Sequence, residues 1–212
     1  MLILPQGYPM KIGFLIDPID TLNPHKDSTI AMLLAAQQRH HEVFTLAANE
    51  LWLQDGICWG KLSPTQAKTS APYFELGDSL TLPLVELDAL LLRKDPPFNM
   101  EYIYLTYLLE IAQSQGLAVF NNPQSVRDAN EKLFAAWFPQ CCPSSLVSSD
   151  TQLLREFVLT EETTVIKPLN GMGGHSIFKL CCDDPNLNVI LDTVTCHQQK
   201  TVMVQRYLPE IN

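Results

Sequence analysis

Apolar positions along the chain fall into short dense runs separated by turn residues. Residues 11–16 (KIGFLI) form an unbroken apolar run, the pattern of a strand covered on both faces, and the run stops at Asp17-Pro18. A polar, turn-rich stretch follows. From Ser28 onward, Ile30, Leu33 and Leu34 recur at helical spacing with the small Ala31 and Ala35, which predicts a helix over 29–39. Residues 43–46 read as a second strand, so the opening is a strand–helix–strand unit of a parallel sheet. Runs at 51–54 and 57–62 flank Asp55-Gly56, a strong two-residue hairpin signal. Residues 63–80 are rich in Pro, Ser and Gly and are expected to be loop. Residues 89–92 predict another buried strand, ending in Arg93-Lys94-Asp95-Pro96-Pro97. Residues 101–115 carry a helical pattern stopped by Gly116, and 118–120 a short strand.

The pattern then changes. A short amphipathic helix is predicted over 130–138, a strand over 146–148, and a helix capped by Asp150 that runs to about residue 159. Residues 164–167 read as a strand, 168–175 as a glycine-rich loop and 176–180 as a returning strand. A helix over 186–195 and a strand over 202–206 complete the chain. The fold class is therefore α/β. A Rossmann-like domain over 10–122 precedes a smaller domain over 123–212, built as an antiparallel sheet with helices on one face. Residues 1–9 are read as an extension, with Met10-Lys11 the natural start.

Composition narrows the function classes. The chain has 212 residues, 46% hydrophobic and 17% charged, enough apolar material to bury a core and exclude wholesale disorder. The formal charge is −9 and the deficit is spread along the chain, so no basic stripe offers itself to a duplex nucleic acid. Any anion must be held by a few local donors. No apolar run approaches a membrane span, and the proline-broken N-terminus is too short for a signal peptide, so a cytoplasmic protein is expected. The six cysteines include the adjacent pairs Cys141-Cys142 and Cys181-Cys182, which do not match zinc-site spacing and are expected to be small apolar fillers in a reducing compartment.

The most informative segment is residues 165–178. A buried strand delivers Lys167 at its end, a loop with Gly171, Met172, Gly173 and Gly174 follows, and a second strand returns. Glycines let backbone N–H groups wrap phosphate oxygens without a Cβ clash, and a lysine adds a point charge. The segment is neither a Walker loop nor GxGxxG. Lys132, in Asn130-Glu131-Lys132-Leu133, is by itself an ordinary surface lysine. His175 in the loop is expected to vary freely. Gln205, Tyr207 and Leu208 lie where a strand runs into a linker whose backbone could read an adenine edge. Arg93 and Lys94 stand at the C-terminal end of a predicted parallel strand, where open α/β sheets bind ligands, and an arginine there can grip a carboxylate with two hydrogen bonds. Ser28 sits at a helix start, which is either an anion site or a plain cap, and Asp17 tunes the same pocket or caps a turn.

Taken together these residues resemble the ATP-grasp superfamily, and specifically the prokaryotic glutathione synthetase family. The resemblance is carried by Asp17-Pro18-Ile19, Lys26-Asp27-Ser28, the RKDPPF string at 93–98, Asn122 to Asp128, Asn130-Glu131-Lys132-Leu133, Lys167-Pro168-Leu169 with Gly171-Met172-Gly173-Gly174, and Asp184-Pro185-Asn186-Leu187. It spans about residues 10–212. The resemblance implies an ATP- and Mg²⁺-dependent ligase that joins γ-glutamylcysteine to glycine. ATP phosphorylates the cysteinyl carboxylate, and the glycine amine attacks the acyl phosphate. It further implies that Lys132, Lys167 and the 171–174 loop hold ATP phosphates, that Gln205, Tyr207 and Leu208 border the adenine, and that Asp17, Ser28, Arg93 and Lys94 receive the dipeptide. Lys167 and Arg93 are the expected catalytic groups. Family members commonly form homotetramers, so self-association is expected. Members also continue beyond the linker, and the magnesium ligands are expected there. Asp183, Asp184 and Glu210 do not form that set, so no metal site is expected within these residues and the chain alone is expected to be inactive. The alternatives are another ATP-grasp peptide ligase or a noncatalytic nucleotide-binding fragment.

Overall fold

The structure is a computed structural model that describes residues 8–24 and 26–210. The expected extension at residues 1–9 lies, as far as residue 7, outside the described residues. The chain divides into two compact units, one of residues up to Asp95 plus Met100–Arg127, the other of Pro96–Asn99 plus the residues from Asp128 onward. That division falls a few residues beyond the expected break at 122.

The first unit is built on one sheet. Strands β1 (Lys11–Leu15), β2 (Glu42–Leu46), β7 (Ala89–Leu92) and β8 (Ala118–Phe120) run parallel in the order β2-β1-β7-β8. Helix α1 (Ser28–Gln38) packs Leu33 and Ala36 against Phe14 and Val43. Its N-cap is Asp27, whose carboxylate accepts from the Thr29 N–H at 2.7 Å, so Ser28 is the first helical residue rather than the cap. Helix α2 (Met100–Ser114) buries Leu105, Leu109 and Ala112. An antiparallel flank follows β2: β3 (Leu51–Gln54) and β4 (Ile57–Ala67) meet at Gln54↔Ile57, with Asp55 and Gly56 at φ of 51° and 78°, the left-handed pair that a tight hairpin demands.

Here the structure departs from expectation. Residues 63–80 are not simply loop. Strand β4 continues to Ala67, burying alternate residues, while β5 (Phe74–Leu76) and β6 (Leu80–Pro83) both pair with it. Pro64 is tolerated inside the strand although it has no N–H to give. It sits opposite Phe44, and its carbonyl accepts from Gly77 N at 2.8 Å.

The second unit holds a four-stranded antiparallel sheet in the order β11-β10-β12-β9, made of β9 (Ser145–Ser148), β10 (Thr163–Pro168), β11 (Phe178–Cys181) and β12 (Val202–Arg206). Helices α4 (Thr151–Glu161) and α5 (Leu187–Val194) bury Leu154, Val158, Leu187 and Leu191 against Ile166, Leu180, Val202 and Val204. A six-residue helix α3 (Pro123–Asp128) precedes this unit and was not visible in the hydrophobic pattern. The helix expected over 130–138 is instead a 3₁₀ turn at Leu133–Trp137 and a second at Pro139–Cys141. Pro139 biases Phe138 away from helical backbone and Phe138 sits at φ −124°, so the pattern cannot continue. Of the cysteines, Cys58 is buried as an apolar filler, whereas Cys141 and Cys182 are exposed, so the filler reading fails for those two.

Candidate functional sites

Four residues expected to receive a dipeptide come together in the first unit. Asp17 follows β1, Arg93 and Lys94 follow β7, and Ser28 opens α1, all at the C-terminal edge of the parallel strands. The Arg93 N–H donates to Leu15 O at 2.8 Å, which prolongs the β1–β7 pairing and fixes where both charged side chains leave the sheet. The Asp17 carboxylate accepts from Lys94 Nζ and from the Asp95 N–H, both at 2.8 Å. Asp17 therefore ties the strand-end turn together instead of merely capping its own. Arg93 Nη2 donates to Ser28 Oγ at 2.8 Å, and Nε donates to Thr29 Oγ1 at 3.3 Å. Tyr102, reaching over from α2, donates its hydroxyl to Lys94 O at 3.0 Å, and its ring centroid lies 5.8 Å from the Lys94 ammonium. Burial pushes the Tyr102 phenol above its ordinary pKa, Asp17 and Asp95 push the same way, and Arg93 opposes them. Thr29 and Tyr102 were missed at the level of sequence, since a threonine in a first turn and a tyrosine on an apolar helix face carry no distinguishing signal.

The second unit gathers the phosphate candidates. In β10 the core face carries Thr164 and Ile166, which leaves Val165 and Lys167 on the opposite face. That face continues across the sheet through Met203 opposite Lys167, and through Gln205 and Lys179 opposite Val165. Lys167 is half-buried. Burial pushes its ammonium below the ordinary lysine pKa, the charge of Lys132 pushes it further down, and Cys142 acts the other way. Two lysines thirty-five positions apart in sequence thus share one electrostatic neighbourhood. Lys132 Nζ donates to Gly171 O and to the Glu131 carboxylate. Asn130 supports the arrangement. Its side-chain oxygen accepts from Lys132 N at 3.1 Å and Leu133 N at 2.8 Å, and its amide donates to Leu169 O at 3.1 Å, pinning the lysine segment to the start of the glycine loop.

The loop itself needs its glycines. Gly173 and Gly174 sit at φ of 68° and 76°, backbone that a side chain would strain. A cavity of about 300 Å³ lies beneath, lined by Lys132, Pro168, Gly171, Met172, His175 and Ile177 among others. His175, expected to vary freely, is thus part of the cavity wall. Tyr207 N donates to Thr163 O at 3.0 Å, and the Lys179 ammonium stands 4.0 Å from the Tyr207 ring centroid, so Lys179 joins Gln205 and Tyr207 along one edge. Leu208 is half-buried beside them. Among the described residues no group of three His, Cys, Asp or Glu side chains is placed to hold a metal ion. A roomier cavity of about 580 Å³ in the first unit, lined by Glu42, Phe44, Pro64, Glu75 and Leu80, contains none of the candidate residues. It lies against the antiparallel flank, away from the strand ends where the charged groups converge.

A parallel α/β unit followed by a small antiparallel sheet, with Lys132 seated on a glycine loop that follows Lys167, is the architecture of an ATP-grasp protein. Solved structures agree on the fold. D-alanyl-alanine synthetase A from Vibrio cholerae aligns with 94% of this chain and 60% of its own at TM-score 0.59 and 11% identity. The D-cycloserine synthetase DcsG aligns with 93% and 59% at TM-score 0.60 and 12% identity. Within that class the assignment is specific. Residues 10–127 match the N-terminal domain of prokaryotic glutathione synthetase, and residues 131–212 match its ATP-grasp domain. The chain belongs to the prokaryotic glutathione synthetase family. Glutathione synthetase from Coxiella burnetii is 49% identical over 95% of this chain and 63% of the relative. The enzymes from Shewanella oneidensis and Pseudomonas aeruginosa are 45% and 47% identical, each over 95% of this chain and 64% of the relative. The chain thus spans a little under two thirds of the length of these relatives.

Proposed function

We propose that this chain carries the dipeptide-binding and nucleotide-phosphate-binding parts of a glutathione synthetase, an ATP-dependent ligase that joins γ-glutamylcysteine to glycine through an acyl phosphate. The observation that carries the reading is the seating of Lys132 on the glycine loop, its Nζ donating to Gly171 O beside the cavity that Lys132 and Gly171–Gly174 line. Burial first, and the charge of Lys132 second, lower the pKa of the half-buried Lys167, a cost that phosphate oxygens would offset. ATP supplies the phosphoryl group that activates the cysteinyl carboxylate. Lys132 and Lys167 neutralise its phosphate oxygens, and N–H groups of the 171–174 loop cover them. Phosphoryl transfer depends mainly on such positioning and charge neutralisation. Gln205, Tyr207 and Leu208 border the adenine. In the first unit Arg93 receives a carboxylate of the dipeptide, with Lys94, Asp17 and Ser28 shaping the pocket. Mg²⁺ belongs to the family's chemistry, but no group of three His, Cys, Asp or Glu among the described residues is placed to hold it. A homo-oligomer and a cytoplasmic location complete the reading. No helix among the described residues is long and apolar enough to cross a membrane.

A ligand panel tests the proposal. Calorimetric titration with γ-glutamylcysteine, free glutamate and D-alanine should show preference for the dipeptide, and Arg93→Ala should remove that preference. Stronger binding of D-alanine or glutamate would point to a different ATP-grasp peptide ligase.

A further inference from the structure

Arg93 and Lys94 are neighbouring cations in opposite surroundings. Lys94 is matched by a carboxylate, since its ammonium lies 2.8 Å from Asp17 Oδ1. Arg93 is held by neutral oxygens alone, with Nε on Thr29 Oγ1 and Nη2 on Ser28 Oγ. Among the described residues, no carboxylate forms an ion pair with its guanidinium. A carboxylate in place of those hydroxyls would cancel the charge while fixing it, whereas hydroxyls fix the group and leave the charge intact. A guanidinium offers five N–H donors in one plane. Two are taken by the hydroxyls. The pair left at the far edge, one N–H from each terminal nitrogen, matches the two oxygens of a carboxylate. Thr29 is 1% exposed, so it cannot touch a ligand and can act only through the arginine.

We propose that Thr29 is a positioning residue that, with Ser28, grips one edge of Arg93 and presents the opposite edge, fully charged, to a carboxylate of an acidic peptide substrate. Lys94, already paired with Asp17, holds the strand-end turn and is not the anion receiver. The inference rests on the reading of Arg93 as the group that receives the dipeptide.

The test uses Thr29→Val, which keeps the shape and removes the hydroxyl, beside Thr29→Ser, which restores it. γ-Glutamylcysteine is titrated calorimetrically into both variants, Arg93→Ala and the wild type, with an ATP analogue as control. Thr29→Val should bind the dipeptide about three- to tenfold more weakly, with nucleotide affinity unchanged and Thr29→Ser close to wild type. In the Arg93→Ala background Thr29→Val should add nothing. The ¹⁵N–¹H signal of Arg93 Nε, sharp and exchange-protected in the ligand-free wild type, should broaden or vanish in Thr29→Val and return in Thr29→Ser. An unchanged Nε signal in Thr29→Val, or wild-type dipeptide affinity in that variant while Arg93→Ala is impaired, overturns the positioning role. Wild-type dipeptide affinity in Arg93→Ala, or no dipeptide binding by the wild type, overturns the reading beneath it.

Discussion

Replacing Lys167 by methionine should weaken nucleotide binding and stabilise the protein at once. The side chain stands at the end of β10 on the face of the second sheet away from Ile166, opposite the buried Met203. Methionine has nearly the same reach, so the change deletes a charge with little loss of packing. Burial first, and Lys132 second, hold the Lys167 ammonium below the ordinary lysine pKa of 10.5. The unfolded chain therefore binds more protons than the folded one between the lowered pKa and 10.5, and stability rises with pH across that window. Below the lowered pKa lysine is protonated in both states and the whole cost is present, so Lys167→Met should raise the unfolding midpoint at pH 7. The gain should shrink as pH climbs toward 10.5. The nucleotide pays the opposite sign. A hydrogen bond to a charged group contributes about 1.5–3 kcal/mol. At about 1.4 kcal/mol per decade, affinity for ATP should fall roughly ten- to a hundredfold. Calorimetric titration with an ATP analogue and thermal unfolding across pH measure both effects. Unchanged nucleotide affinity, or a lower unfolding midpoint at pH 7, would refute the argument that this lysine is kept charged for an anion.

Further outcomes follow from the same geometry. Arg93→Ala should weaken γ-glutamylcysteine binding at least tenfold and leave nucleotide binding near wild type, because a charged hydrogen bond is lost only in the first unit; parallel titrations check it, and equal losses for both ligands would mean a structural role. Asp150→Ala should lower stability by about 1 kcal/mol, since that carboxylate accepts from the Gln152 and Leu153 N–H groups at the start of α4, and urea unfolding measures it. Cys58, with a thiol pushed up to about 11 by burial, should resist alkylation at pH 8 while Cys141 and Cys182 react, which mass spectrometry of briefly labelled protein reads directly.

What could be read from sequence was mostly local. The Asp55-Gly56 hairpin, the Asp150 cap and the short strand that ends at Lys167 each depend on a few adjacent residues, and each was legible. Failures came where a distant partner decides. Residues 63–80 look like loop by composition, yet β5 and β6 exist because β4 offers them one edge while β3 and β2 take the other. The 130–138 segment has a helical pattern that Pro139 and the side-chain bonds of Asn130 override. The candidate sites divide in the same way. The glycine loop announced itself, but the meeting of Lys132 with Lys167, and of Ser28 with Arg93 sixty-five positions away, follows from strand order and had only family resemblance to suggest it. Thr29, Tyr102 and Lys179 had not even that, since each is an unremarkable residue until its neighbour is known.

Under the proposed function the two units divide the ligands, the first taking the dipeptide and the second the nucleotide phosphates. Amide chemical-shift mapping of ¹⁵N-labelled protein, titrated separately with γ-glutamylcysteine and with an ATP analogue, tests it directly. The dipeptide should perturb Asp17, Ser28, Arg93 and Lys94, and the nucleotide should perturb Lys132, Lys167 and residues 171–174. Dipeptide shifts confined to the second unit, or nucleotide shifts at Arg93 with none at Lys167, would contradict it.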